Sequence, residues 1–202
     1  MRNGRIAYVH VGNGSRFQIY TVTATGAHRR PLTSGRRYSS FAPAYSPNGQ
    51  RIVFVRSFKQ TDLWTMKANG SDKRDLTSTA HVDEIDPAWS PDGRQIVFAV
   101  ESPSADRGIW SMDLRGRSRR RLTAGDDTHP SWSPDGGSIA FQRGDPSTQT
   151  TGILVVPAGG GTPANLSTDP ASRISSPPGR PTEAESSSSA TGGTRSSSTS
   201  GS

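Results

Sequence analysis

The residue types that most often carry chemistry do not form a catalytic constellation in this chain of 202 residues. The four histidines are scattered, at positions 10, 28, 81 and 129, and cysteine is absent, which excludes thiolate chemistry and disulfide bonds. There is no Gly-x-Ser-x-Gly nucleophile elbow and no His-Glu-x-x-His zinc motif. The sequence therefore predicts a protein that is not an enzyme, with no catalytic residue and no cofactor.

Two acidic clusters, just before Pro87 and Pro130, have the composition of a calcium site. Their members are Asp83, Glu84, Asp86, Asp126 and Asp127. Grouped carboxylates are the ligands that Ca²⁺ prefers. Carboxylates in loops also pair with nearby arginines, and this second interpretation is the one we favour. The prediction is therefore that no metal site is present.

The basic residues raise the question of an acidic partner, because the net charge is +7 and the isoelectric point is near 10.5. Arginine occupies positions 115, 117, 119, 120 and 121. Equivalent basic pairs recur at Arg29–Arg30, Lys73–Arg74 and Arg119–Arg120. This recurrence predicts that they lie on outermost strands, where charge prevents edge-to-edge aggregation. No aromatic residues interleave with them, so nucleic-acid binding is not favoured.

The strands that position these residues can be predicted from an internal repeat. The segments PAYSPNGQRIVF, PAWSPDGRQIVF and PSWSPDGGSIAF begin at Pro43, Pro87 and Pro130 and align without gaps. A second motif falls between them, as QIYTV, DLWTM, GIWSM and GILVV, and a Leu-Thr or Leu-Ser pair follows each copy. Two independent motifs with one period of about 43 residues indicate a repeat architecture.

Each period predicts four strands. The first ends at the aromatic residue before a Ser-Pro-Asp-Gly turn, in which glycine takes the left-handed position. The second is a buried apolar run, in the ranges Ile52–Val55, Ile96–Val100 and Ile139–Phe141. The third carries Tyr20, Trp64, Trp110 and Leu154, and the fourth is the polar stretch that ends in Leu-Thr. Four short strands per repeat are typical of an all-β β-propeller.

The aromatic residues Tyr45, Trp89 and Trp132 could be interpreted as a sugar-stacking set. Because one of them stands at the same place in each repeat, we expect packing between blades instead.

The motifs WSPDGRQIVF, IWSMD and RRLT closely resemble the TolB-type β-propeller repeat, which is also found in the propellers of dipeptidyl-peptidase IV relatives. The resemblance covers residues 3–169. It implies an incomplete propeller, with a partial first blade over about 3–33 and full blades over about 39–77, 83–123 and 127–167. The partial blade lacks its inner strand, because Asn3-Gly4 aligns with Asn48-Gly49.

The resemblance implies a non-catalytic scaffold that binds another protein through one propeller face. The alternative is the gating propeller of a prolyl-oligopeptidase-like serine peptidase whose catalytic domain is missing. TolB-like proteins are usually periplasmic or otherwise exported. This chain has neither a signal peptide nor an apolar run long enough for a membrane span. We therefore expect that it is a fragment of a longer exported protein.

The segment 170–202 differs in composition from the repeats. Residues 171–202 hold twelve serines and no aromatic residue, which predicts a disordered tail. Another reading frame over this stretch could encode a further Trp-Ser-Pro-Asp-Gly opening, so the tail is also interpreted as an out-of-frame translation.

Overall fold

The computed structural model describes residues 4–11, 16–101, 106–145, 147 and 150–167. These residues form antiparallel β-sheets, and none of them is part of a helix that could cross a membrane. The chain divides into two units, Met1–Asp169 and Pro170–Ser202, and all the described residues belong to the first. The disorder predicted for 170–202 concerns residues outside those described.

Four sheets follow one another along the chain. The first contains β1 (Arg5–Val11), β2 (Phe17–Thr23) and β3 (Arg30–Pro31). The second contains β4 (Ser39–Tyr45), β5 (Arg51–Ser57), β6 (Thr61–Lys67) and β7 (Arg74–Asp75). The third contains β8 (Asp83–Trp89), β9 (Gln95–Glu101), β10 (Gly108–Asp113) and β11 (Arg120–Arg121). The fourth contains β12 (Asp127–Trp132), β13 (Ser138–Asp145), β14 (Thr150–Pro157) and β15 (Ala164–Asn165).

Strands pair in sequence order within every sheet, as expected for propeller blades. The first described sheet has three strands and the other three have four, so the all-β incomplete propeller predicted from the repeat is confirmed. The last strand of each sheet in chain order is only two residues long. The basic pairs lie at these short outermost strands, as the sequence predicted.

Tight turns join the first two strands of each four-stranded sheet. In the third sheet, the Ser90 hydroxyl donates to the Asp92 carboxylate at 2.6 Å and accepts from the Gln95 N–H at 2.9 Å. The Ser90 hydroxyl is also the main reason that the pKa of Asp92 is lowered. Gly93 takes the predicted left-handed conformation, with φ of 71°.

The inner strands share one irregularity, a β-bulge just before the repeated proline. Register with the neighbouring strand shifts there in β4, β8 and β12. Ala42, Asp86 and His129 stand at this position, and all three have positive φ. The bulge therefore re-aims the side chains of Asp86 and His129, two residues that the sequence singled out.

Neighbouring sheets bury apolar side chains against each other at three junctions, numbered in chain order. Ile19 and Phe54 lie in the first junction, Val55 and Phe98 in the second, and Ile109 and Phe141 in the third. Each sheet has two ends. The turn end carries the Ser-Pro-Asp-Gly type turns, and the loop end carries the linkers between sheets and the loops between second and third strands.

Candidate interaction site at the loop end

A cluster of aromatic rings and arginines covers the loop end of the first junction. It consists of Arg37, Tyr38, Arg56, Phe58 and Trp64, and is called here the aromatic–arginine cluster. Tyr38 is the last residue of the linker before β4, Arg56 and Phe58 lie at the end of β5 and just after it, and Trp64 is in β6. Three segments therefore position the cluster: the linker before β4, the end of β5, and β6.

The rings of the cluster are exposed and in mutual contact. Phe58 is 51% exposed and Tyr38 is 36% exposed. Their ring centres lie 5.5 Å apart in an edge-to-face arrangement, and the guanidinium of Arg37 lies 5.3 Å from the centre of the Phe58 ring. Such contacts pre-order the side chains, which lowers the entropy that a binding partner would have to remove.

Arg56 is the central residue of the cluster. Its guanidinium carbon lies 4.0 Å from the centre of the Trp64 ring and 5.3 Å from that of Tyr38. The Arg56 Nε atom is buried and has no hydrogen-bond partner among the described residues. Burial lowers the pKa of Arg56, although Tyr38 and Asp75 partly counteract this effect. The rings thus shield a cation that lacks an acceptor.

A pocket of about 330 Å³ opens beside Arg56 and reaches Lys59, Asp62 and Asp75. Burial raises the pKa of Asp62, and the negative charges of Asp75 and Asp83 raise it further. Both pocket acids already accept backbone hydrogen bonds. Asp62 accepts one from the Thr79 N–H at 3.3 Å, and Asp75 accepts from the Thr77 and Ser78 N–H groups, each at 3.2 Å.

The acidic residues that suggested calcium are divided among separate interactions. Glu84 pairs with Arg119 at 2.6 Å, and Asp127 pairs with Arg143 at 2.6 Å. Asp83 accepts hydrogen bonds from the backbone and hydroxyl of Thr61. No group of three or more potential metal ligands occurs within the part of the chain that the structure describes.

The nearest approach to a catalytic arrangement involves His129. Its Nδ1 atom lies 3.0 Å from the Thr128 hydroxyl and 3.6 Å from an Asp86 carboxylate oxygen. A nucleophile–histidine–acid relay needs the nucleophile and the acid on opposite ring nitrogens. Both contacts fall on one nitrogen here, so the arrangement cannot relay a proton.

The repeated aromatic residues lie at the turn end and pack into the junctions. Tyr45, Trp89 and Trp132 are partly buried and contact the first, second and third core clusters, respectively. The Trp89 indole N–H donates to the Ala44 carbonyl at 3.0 Å. The buried Trp132 indole N–H has no partner among the described residues and borders a cleft of about 690 Å³.

The arginine run at 115–121 is divided between different roles. Arg119 reaches the buried Glu84, and Arg121 donates to the Thr123 carbonyl at 2.9 Å. Arg115, Arg117 and Arg120 are exposed. Neither Arg37 nor Arg56 was predicted from the sequence to be a functional residue. The pairing of each with an aromatic residue, as Arg37-Tyr38 and Arg56-Ser57-Phe58 at strand boundaries, is the signal that could have revealed the cluster.

Known structures share this fold. A protein from Agrobacterium tumefaciens solved as a TolB superposes with a TM-score of 0.72 at 23% identity, covering 81% of this chain and 61% of its own. TolB from Acinetobacter baumannii gives 0.66 at 23% identity, covering 81% and 41%. A puromycin-hydrolyzing peptidase from Mycobacterium tuberculosis gives 0.62 at 20% identity, covering 82% and 31%. The chain thus spans about 60% or less of these proteins.

Sequence comparison agrees with the fold. No curated protein sequence gives a significant match. The family described as TolB beta propeller domain matches residues 2–181, which is most of the chain. On its repeats, its sheets and this match, the chain belongs to the TolB beta-propeller family.

Proposed function

We propose that this chain is a non-catalytic scaffold that binds another protein through the loop end of its sheets. The observation that carries the proposal is the aromatic–arginine cluster, in which exposed rings and guanidinium groups contact one another. Aromatic residues and arginine are enriched at protein-binding hot spots, because they offer large contact areas with polar groups at their edges. By family resemblance, the proposal places this binding in an exported protein.

The way the cluster is mounted supports recognition. Tyr38 and Phe58 lie next to strands β4 and β5, whose seven-residue spans pack with fully buried residues such as Val53 and Phe54. Binding residues on short loops above a rigid scaffold keep their positions at small entropic cost. The chain offers such a scaffold at every junction, but the first junction concentrates exposed rings.

A gating propeller of a serine peptidase is the second candidate. It is favoured by the fold shared with the Mycobacterium tuberculosis peptidase, whose length the chain covers to 31%. Nucleotide sequence downstream of this chain, translated in all frames, distinguishes the two candidates. A Gly-x-Ser-x-Gly elbow followed by aspartate and histidine would support the peptidase and contradict the scaffold.

The scaffold proposal is tested by selecting peptides from a random display library on the full chain. We expect enriched peptides whose affinity falls at least tenfold for the Phe58→Ala variant. The matched control is Leu114→Ala, which removes an exposed apolar side chain, 37% accessible, at the turn end. Equal losses in both variants, or no enrichment at all, would contradict binding through the loop end.

A further inference from the structure

One position of the repeat differs in charge among the three junctions. It stands three residues before the repeated proline and is occupied by Ser40, Glu84 and Asp127. All three side chains are buried, with residue exposures of 2%, 0% and 1%. The second and third junctions thus carry a buried carboxylate where the first carries a hydroxyl.

At the third junction, the carboxylate neutralises an arginine on the neighbouring strand. Asp127 is paired in register with Arg143. The Arg143 Nε donates to Asp127 Oδ1 at 2.6 Å and its Nη2 donates to Oδ2 at 2.8 Å. This two-pronged contact is the main reason that the pKa of Arg143 is raised. The buried carboxylate and the half-buried guanidinium therefore satisfy each other within the chain.

At the second junction, the carboxylate pairs with a cation that lies outside its own strand pair. Glu84 stands opposite Val100, so no cross-strand cation is present. Arg119 reaches it instead, at 2.6 Å from the guanidinium Nη2 to Oε1, and the Thr79 hydroxyl donates to the same oxygen. Burial raises the pKa of Glu84, while Thr79 and Arg119 oppose the shift.

At the first junction, the arginine is present but the inner strand carries no acid opposite it, and the acid on its other neighbouring strand is Asp62. Arg56 occupies the register position of Arg143, and Ser40 stands opposite it. Aromatic faces surround the Arg56 guanidinium, but its buried Nε finds no acceptor among the described residues. Aromatic faces attract a cation without accepting N–H hydrogen bonds in the plane of the guanidinium. The site is complementary to a carboxylate.

We infer that the pocket beside Arg56 receives a carboxylate side chain from an acidic peptide segment of the partner, while the next side chain of that segment packs on Tyr38 and Phe58. This inference rests on the proposed function. The pocket volume of about 330 Å³ suits a small group of atoms such as one or two side chains. Arg37 and Lys59 add positive charge at the rim.

A peptide fits this site better than a nucleic acid. Asp62 and Asp75 line the same pocket as Arg56. Asp75 and Asp62 each use one oxygen to accept a backbone N–H, whereas the Arg56 Nε has no acceptor among the described residues, so the pocket has a donor for one carboxylate. A nucleic acid brings successive phosphates, and its affinity depends on several cations without interspersed acids.

The test compares the display-selected peptides with copies in which Asp and Glu are replaced by Asn and Gln, together with a twelve-nucleotide thymidine oligomer. Fluorescence anisotropy should show at least tenfold tighter binding of the acidic peptides, and Arg56→Gln should remove this preference. Arg117→Gln, which deletes an exposed charge at the turn end, is the matched control and should retain it.

A second variant protects the test against a folding defect in Arg56→Gln. Ser40→Asp supplies the carboxylate within the chain, in the register that Asp127 uses, and should weaken acidic peptides at least tenfold while the protein stays folded. Selected peptides that bind equally well without their acidic residues would overturn the inference and leave the scaffold proposal intact. Preferential binding of the oligomer would overturn it in favour of a phosphate partner, and failure to select any peptide would overturn both.

Discussion

An arginine occupies the same position of the repeat at the first and third junctions, but its surroundings differ. Arg143 is bound by two oxygens of Asp127, whereas Arg56 lies among aromatic rings opposite Ser40. The two places share the pairing of the first two strands and the bulge, but Arg56 also stands opposite Asp62 of β6, where Arg143 stands opposite Gly152 of β14. The difference teaches that a repeat without its buried inner-strand acid leaves the equivalent arginine without the two-oxygen contact that Asp127 provides.

The two junctions also differ in what surrounds the arginine. Leu154 occupies the third-strand position in the fourth sheet, where Trp64 stands in the second. Trp64 gives Arg56 a π-face at 4.0 Å, which offsets part of the cost of desolvating this half-buried guanidinium. Ser40 and Trp64 at the first junction thus replace Asp127 and Leu154 of the third, and the ring stabilises a cation whose Nε has no acceptor among the described residues.

The largest expected effect is the difference in stability loss between substituting Asp127 and substituting Ser40, which occupy the same position of the repeat. Asp127→Ala should lower the free energy of unfolding by about 2–4 kcal/mol, because it leaves Arg143 without its buried partner. Ser40→Ala removes no charge and should cost less than about 1 kcal/mol. Denaturant unfolding of both variants measures the two values. Equal costs would show that the junctions do not differ in the way described.

A smaller effect concerns the indole N–H groups at the turn end. Trp89→Phe should cost about 1 kcal/mol more than Trp132→Phe, because only the Trp89 indole N–H has a hydrogen-bond acceptor within the described residues, at the Ala44 carbonyl. Both substitutions remove the same atoms, so each serves as the control for the other. The difference in unfolding free energy is the measurement, and a larger cost at Trp132 would contradict it.

The smallest effect is a pH dependence of binding at the first junction. The pKa of Asp62 is raised, first by burial and then by Asp75, so Asp62 loses its charge at higher pH than an ordinary aspartate. As the pH falls, Asp62 should therefore take up a proton before the peptide's own carboxylates do, and an acidic peptide should bind about twofold tighter, since one repulsive charge is removed at several ångströms. Below about pH 4.5 the peptide's own carboxylates become protonated and binding should weaken.

The control for this pH effect is Asp62→Asn. This variant should bind the peptide at pH 7 about twofold more tightly than the unmodified chain does, and it should show no further tightening as the pH falls. An increase of affinity with rising pH in the unmodified chain would contradict the role given to Asp62.

The fold could be predicted from the sequence because its signals are local and repeated. The Ser-Pro-Asp-Gly turn specifies a hairpin by itself, and the run Ile96–Val100 indicates a buried strand without knowledge of its neighbours. That the first described sheet has three strands, where the others have four, followed from aligning Asn3-Gly4 with Asn48-Gly49. Each of these inferences needed only one period of the repeat.

The candidate site could not be predicted in the same way, because it depends on contacts between separate periods. Arg119 and Glu84 are 35 residues apart, and nothing in their local sequence shows that one neutralises the other. Arg56 became notable only when its strand register with Ser40 could be compared with that of Arg143 and Asp127. A difference in charge at one repeat position is visible in the sequence, but its meaning depends on the cross-strand partner.

The most direct test of this account is a double-mutant cycle between positions 40 and 56. Ser40→Asp should stabilise the chain by about 1–3 kcal/mol when Arg56 is present, because it recreates the contact between Asp127 and Arg143. In the Arg56→Gln background the same substitution should destabilise the chain, since the new buried carboxylate then has no cation. Denaturant unfolding of the four proteins gives the coupling energy. A coupling energy near zero would show that a carboxylate at position 40 does not interact with Arg56. It would contradict the proposal that the site around Arg56 is complementary to a carboxylate.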